Sequence, residues 1–184
     1  VTSEWEAELK KAIEMANGHL SLYQLTIEQG TPFYGQWRQG KLIIPSEDVS
    51  AEMYELTNNI CADYGYPAYE VSNYARKGKE SRHNLTYWNY GDYLGIGAGA
   101  HGRITVDGET YATIQNKKPE IWLKNVTEIG HATKENVLLK RTEMAEEMIM
   151  MGLRLIGGVS GDAFKRKIGK PIGHFIQEDQ VVSL

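Results

Sequence analysis

A single cysteine, Cys61, stands among the 184 residues. One thiol forms no internal disulfide and falls short of the three or four thiolates that hold an iron–sulfur cluster, so any cluster draws its ligands from elsewhere. Cys61 shares a helical pattern with Met53, Leu56 and Ile60, where a free cysteine behaves as a small core hydrophobe. Long apolar runs are missing: Val181-Val182 is typical, against the roughly 20 residues that cross a bilayer. No basic segment leads into an apolar one, as a secretion signal requires. A cationic surplus is missing as well. The net charge of -4 does not suit a surface that neutralises phosphates, and nucleic acid is set aside as a partner. These absences describe a cytoplasmic protein.

The hydrophobic share of 41% and charged share of 24% are those of an ordinary globular chain. Trp5, Leu9, Ala12, Ile13 and Ala16 recur at helical spacing before Asn17-Gly18, which predicts a helix over 3–16. Residues 19–27 read as a strand, Gln36 to Gln39 as a polar loop, and a second helix runs from Ser46 to Tyr64-Gly65. Residues 68–74 have strand composition, and 76–92 read as a long loop. Arg103 to Val106, Asp107-Gly108 and Glu109 to Gln115 predict a β-hairpin. From Pro119 onward the pattern is helical: a helix at Pro119, another from Thr142 through Met144 to Ile156, and a third from Ser160 to Ile168 closed by Gly169. Met144 and Met148 read as core, and Glu143, Glu146 and Glu147 as a solvated face. Val1 is not Met, and Val181-Val182-Ser183-Leu184 reads as a strand without its partner; a piece of a longer protein is expected. The fold class is α/β, with a division at 1–116 and 117–184.

Chemistry concentrates in Ser81-Arg82-His83-Asn84-Leu85-Thr86-Tyr87-Trp88-Asn89-Tyr90-Gly91-Asp92-Tyr93. Loops on a rigid scaffold favour sites, though aromatics that seal a barrel end explain the composition equally. The histidine at 83 suits metal ligation or acid–base work near neutral pH, and the aromatics suit stacking on a flat ring. The run Gly95-Ile96-Gly97-Ala98-Gly99-Ala100-His101-Gly102 is not a dinucleotide fingerprint, because Ala100 stands where the third glycine of GxGxxG belongs. Its small residues admit close approach of backbone or ligand. No Ser-His-Asp or HExxH pattern appears, and no catalytic residue is assigned.

Four ordered blocks carry a resemblance: 19–28 with Gly30-Thr31-Pro32-Phe33; Tyr69-Glu70-Val71-Ser72-Asn73-Tyr74-Ala75; 81–88; and 91–102. Over about 85 residues they resemble the motifs of the HemW-type heme chaperones, in the radical S-adenosylmethionine (SAM) family of oxygen-independent coproporphyrinogen III oxidase-like proteins. The pattern HNxxYW, filled by His83, Asn84, Tyr87 and Trp88, separates this branch from the oxidases proper. The resemblance implies the last units of a partial (β/α)6 radical SAM barrel plus a mostly helical C-terminal region. It implies a [4Fe-4S] cluster held by a CxxxCxxC loop that this sequence does not contain, with Gly97, Gly99, Ala100 and His101 beside the SAM. It further implies heme bound by His83, Asn84, Tyr87 and Trp88, with His83 as ligand, and delivery of heme to acceptor proteins. The alternative is an oxygen-independent coproporphyrinogen III oxidase that forms protoporphyrinogen IX by oxidative decarboxylation. Peripheral membrane contact and oligomeric state stay open.

Overall fold

The computed structural model describes residues 2–176, and the strand expected at Val181–Leu184 lies outside them. Contacts divide the chain into two compact units, Val1–Glu80 and Ser81–Leu184.

In the first unit, α1 (Thr2–Met15) presents Leu9 and Ile13, and α3 (Glu47–Asp63) presents Ile60 and Cys61, to a core completed by Tyr66 and Tyr74. Each such side chain withdrawn from water contributes about 1.5–3 kcal/mol. The helix start expected at Ser46 holds, and the Ser46 side chain caps it by accepting from the Val49 amide. Gly18, at φ +91°, turns the chain away after α1. The Tyr66 hydroxyl accepts from the Gly18 amide and donates to the Ala16 carbonyl, so a buried ring closes that helix end.

Three short strands, β1 (His19–Ser21), β2 (Ala68–Glu70) and β3 (Asn73–Ala75), form a sheet in the order β1-β3-β2, with both neighbours antiparallel to β3. Two expectations change here. The strand over 19–27 shortens to three residues, and the strand over 68–74 splits at Val71-Ser72. The split follows from the buried Glu70 carboxylate, which accepts from the Ser72 amide at 3.0 Å and from the Asn73 side chain. A carboxylate that needs buried donors folds the chain back on itself to find them. The loop expected at 36–39 falls largely within α2 (Pro32–Arg38), capped by Thr31 with Pro32 in its first turn, where proline suits the missing donor.

In the second unit, α4 (Arg82–Trp88) occupies the middle of the loop expected over 76–92. The hairpin stands: β4 (His101–Val106) pairs with β5 (Glu109–Gln115) around Asp107-Gly108. Helix α5 (Pro119–Ile129) follows, but the helical expectation then fails, because β6 (Thr133–Leu138) joins β5 as a third antiparallel strand. Strand β5 lies before the division expected between 116 and 117 and β6 after it, and the two pair directly. Helix α6 (Arg141–Gly152) begins after Lys140, not at a Thr142 cap, and the Lys140 amide donates to Glu143. It stops short of Ile156 because the returning chain packs on Gly152, where a Cβ would sit 2.6 Å from Val159. Helix α7 (Gly161–Ile168) has the expected Ser160 cap and Gly169 stop. Met144, Ala145 and Met148 of α6 pack with Phe164, Ile168 and Tyr90 in the core.

Candidate functional site

Helix α4 forms because Ser81 caps it, its side chain accepting from the Asn84 amide at 3.3 Å. Its end is a Schellman turn: the Gly91 amide donates to the Thr86 carbonyl and the Tyr90 amide to the Tyr87 carbonyl. The left-handed position that glycine usually takes is filled by Tyr90, at φ +54°. A bulky residue there costs about 1–2 kcal/mol. The compensation is visible, since the Tyr90 ring is 6% exposed and its hydroxyl donates to the Glu147 carboxylate at 2.5 Å.

That carboxylate also accepts from Arg103 at Nε (3.0 Å) and Nη2 (2.6 Å), a bidentate pair between β4 and α6. Burial alone pushes the Glu147 carboxyl upward; the hydrogen bonds from Arg103 and Tyr90 outweigh it and leave the group below its ordinary value. The same contact raises Arg103. Burial, with the nearby carboxylate, pushes the Tyr90 hydroxyl well above the usual phenol range. Glu147 is thus not on a solvated face. Met144, three residues earlier and on the same face of α6, is core, which is the signal that marks this side of the helix as facing inward.

Tyr93 joins the assembly through backbone, exchanging two hydrogen bonds with Arg103 at 2.7 and 2.9 Å. Its ring meets Tyr87 edge-on at 4.3 Å, and Tyr87 meets His83 edge-on at 4.5 Å. The Tyr87 hydroxyl lies 2.8 Å from His83 Nε2. Trp88 lies 6.5 Å from Tyr87 and carries the Arg154 guanidinium 4.5 Å over its ring. Tyr87, Tyr90, Tyr93, Arg103, Glu147 and Met151 enclose a cavity of about 20 Å³, room for about one water. Four of the expected residues therefore share one short helix, with His83 exposed and the other three half-buried. Sequence reasoning missed Arg103 and Glu147, which fix Tyr93 and Tyr90 just beyond the helix, and Arg154, which covers Trp88.

The glycine run has two parts. At Gly95 an added Cβ would sit 2.5 Å from the His101 carbonyl oxygen, and at Gly102 one would sit 2.5 Å from Thr113 Oγ1. Here the close neighbour is the protein's own chain. Gly97 (φ +111°) and Gly99 (φ +72°) are turn glycines, and open space faces Gly97. Ala100 is tied to this turn and to β5 by backbone bonds, and His101 is exposed at the start of β4. Among the described residues, no hydrogen bond or ring contact joins Gly97, Gly99, Ala100 or His101 to His83.

The donor sets differ in what they fit. An exposed imidazole amid aromatic rings fits a flat iron-bearing macrocycle. A [4Fe-4S] cluster does not fit: Cys61 is buried, burial raises its thiol to about 11, and the described residues hold no metal-binding group of three or more His, Cys, Asp or Glu. An apolar cleft of about 310 Å³ lies in residues 1–80 among Trp5, Leu25, Ile43, Met53, Tyr54 and Tyr74, and holds none of the expected site residues.

Comparison with solved structures sets the class. The chain superposes on coproporphyrinogen III oxidase (HemN) from Escherichia coli, a radical SAM enzyme, with a TM-score of 0.69, 17% identity, and coverage of 98% of this chain and 43% of that one. This is the fold of part of a radical SAM protein. Sequence relatives then narrow the class. Radical S-adenosyl methionine domain-containing protein 1, mitochondrial, from Mus musculus is 46% identical over 160 residues, 85% of this chain and 36% of the relative. The heme chaperone HemW of Bacillus subtilis (strain 168) is 35% identical over 167 residues, 91% and 43% respectively. That of Lactococcus lactis subsp. lactis (strain IL1403) is 39% identical over 162 residues, 88% and 41%. Over 85–91% of its length the chain is similar in sequence to HemW-type heme chaperones and to radical SAM domain-containing protein 1. It spans about 36–43% of the length of these relatives. No protein-family model matches it.

Proposed function

We propose that the protein to which this chain belongs binds heme and passes it to acceptor proteins, with His83 as iron ligand and Asn84, Tyr87 and Trp88 completing the binding surface. One observation carries the reading: an exposed imidazole stands on a helix whose aromatic rings form a continuous edge-on series from His83 through Tyr87 to Tyr93. The names of the HemW relatives supply the cargo. Heme is here the substrate of a transfer, and a surface-facing ligand suits cargo that must leave again.

Gly97, Gly99, Ala100 and His101 are read as the edge beside bound SAM, which supports radical chemistry when paired with a [4Fe-4S] cluster. Support comes from the positive φ of the two glycines and the open space at Gly97. The cluster takes its thiolates from residues other than those present. Residues 1–116 are read as the last part of the barrel and 117–184 as the C-terminal region. No helix among the described residues is long and apolar enough to cross a membrane. The compartment is read as cytoplasmic or, following the name of the mouse relative, mitochondrial, and cell fractionation decides between them.

The test is titration of the purified protein with heme. Wild-type protein gives a ligated Soret spectrum; His83→Ala loses it, and an unchanged spectrum refutes the assignment. The second reading, oxygen-independent coproporphyrinogen III oxidase, is favoured by the structural neighbour. Protoporphyrinogen IX formed from coproporphyrinogen III without oxygen, by protein loaded with cluster and SAM, would establish it.

A further inference from the structure

We infer that Tyr87 is a positioning residue for His83: its hydroxyl holds the imidazole at Nε2 and leaves Nδ1 as the nitrogen presented to heme iron. This rests on the heme-binding reading above and adds to it which atom binds and what orients it.

The pair is one helical turn apart, so the two side chains stack on the same face of α4. The hydroxyl is 2.8 Å from Nε2 and the rings meet at 88°, so the imidazole is both hydrogen-bonded and packed. Tyr87 is itself held from behind by Tyr93, whose backbone is fixed to Arg103 by two hydrogen bonds. The hydroxyl is therefore placed by the sheet, not by a drifting surface chain. Among the described residues Nδ1 has no hydrogen-bond partner. A neutral imidazole carries one N–H and one lone pair. When Nε2–H donates to the Tyr87 oxygen, the lone pair is on Nδ1, and a metal approaching there finds its ligand already oriented. Ligating histidines ordinarily have their second nitrogen fixed in this way. Ligation through Nε2 would instead require this bond to break.

Two measurements test the assignment. Nitrogen NMR of His83 in heme-free protein should show the tautomer protonated at Nε2; the opposite tautomer overturns the proposal. Tyr87→Phe keeps the ring that packs on Tyr93 and removes only the hydroxyl. It should give a mixed tautomer and weaken heme binding by about tenfold or more. Equal or tighter binding in this variant overturns the proposal, tighter binding meaning that the hydroxyl competes with iron for Nε2. His83→Ala, measured alongside, separates the two failures. If that variant binds heme unchanged, the ligand reading falls. If it loses ligation while Tyr87→Phe does not weaken, only the positioning role falls.

Discussion

Replacing Arg103 by methionine removes the cation from the Glu147 carboxylate and leaves that carboxylate half-buried with one hydroxyl donor. The side chains of the pair are 20% and 23% exposed. The interaction therefore lies between exposed pairs, worth about 0.2–1 kcal/mol, and fully buried ones, whose breakage costs about 3–5 kcal/mol. Bidentate geometry at 2.6 and 3.0 Å places Arg103→Met at about 2–3 kcal/mol. That lowers a urea midpoint by about 1–2 M for an ordinary denaturant slope. Glu147→Gln keeps an acceptor for Tyr90 and loses less, about 1–2 kcal/mol. In a double-mutant cycle with Arg103→Met and Glu147→Leu, the double variant should be more stable than the summed losses by at least about 1 kcal/mol, because it leaves no orphan charge. The pH dependence has a definite sign. Glu147 is held below its ordinary value of 4.5, so its contribution is complete above that value and is lost as pH falls through the lower folded value. Arg103→Met should flatten stability against pH in that acid window. A coupling near zero, with unchanged acid dependence, would refute the account of this network as the anchor of the site.

Three further outcomes follow from other parts of the molecule. Cys61 is fully buried and its thiol is pushed up to about 11; an aromatic disulfide reagent at neutral pH should leave it unmodified in native protein and label it fully in urea. Gly102→Ala drives a Cβ to 2.5 Å from Thr113 Oγ1 and 2.9 Å from the Gly95 amide, and should cost about 1–3 kcal/mol by overpacking, read as a lowered melting temperature. Tyr90→Gly relieves the left-handed backbone but removes a core ring and a donor to Glu147; it should destabilise on balance by about 2 kcal/mol or more, and a gain in stability would show that the turn, not the ring, governs that position.

Legibility in the sequence tracked how local the determinants were. Helices α1, α3 and α7 were readable because apolar spacing and a terminal glycine lie within one segment, joined in α3 and α7 by a capping serine: Ser46 and Ser160 accept from the amides three residues on, and Gly169 closes α7 in a left-handed turn. The hairpin at Asp107-Gly108 was readable for the same reason. Helix α4 was not, because a seven-residue helix of polar and aromatic residues shows no apolar stripe; its evidence is a cap and a Schellman turn that uses tyrosine in place of glycine. Strand β6 was hidden because five of its six residues are exposed and its pattern shows no alternation; pairing with β5 defines it. The break at Val71-Ser72 was invisible because it answers a buried carboxylate, a tertiary demand.

The same division applies to the site. HNxxYW named His83, Asn84, Tyr87 and Trp88, which one short helix holds together, while the groups that fix them come from far along the chain: Tyr93 through Arg103, Tyr90 through Glu147, and Trp88 under Arg154. A motif lists the side chains that face a ligand; it does not list what prevents them from turning. Position 83 shows the consequence. The sequence supplied a histidine with two interchangeable nitrogens, and the tyrosine one turn later makes them unequal. Its hydroxyl is placed because the Tyr93 ring packs edge-on against the phenol, and Tyr93 is in turn tied to β4 by its backbone bonds with Arg103. Loss of the Tyr93 ring in Tyr93→Ala should therefore disturb the His83 tautomer as well as stability, whereas Gly152→Ala, whose added Cβ meets Val159, should lower stability and leave the tautomer of the folded protein as it was.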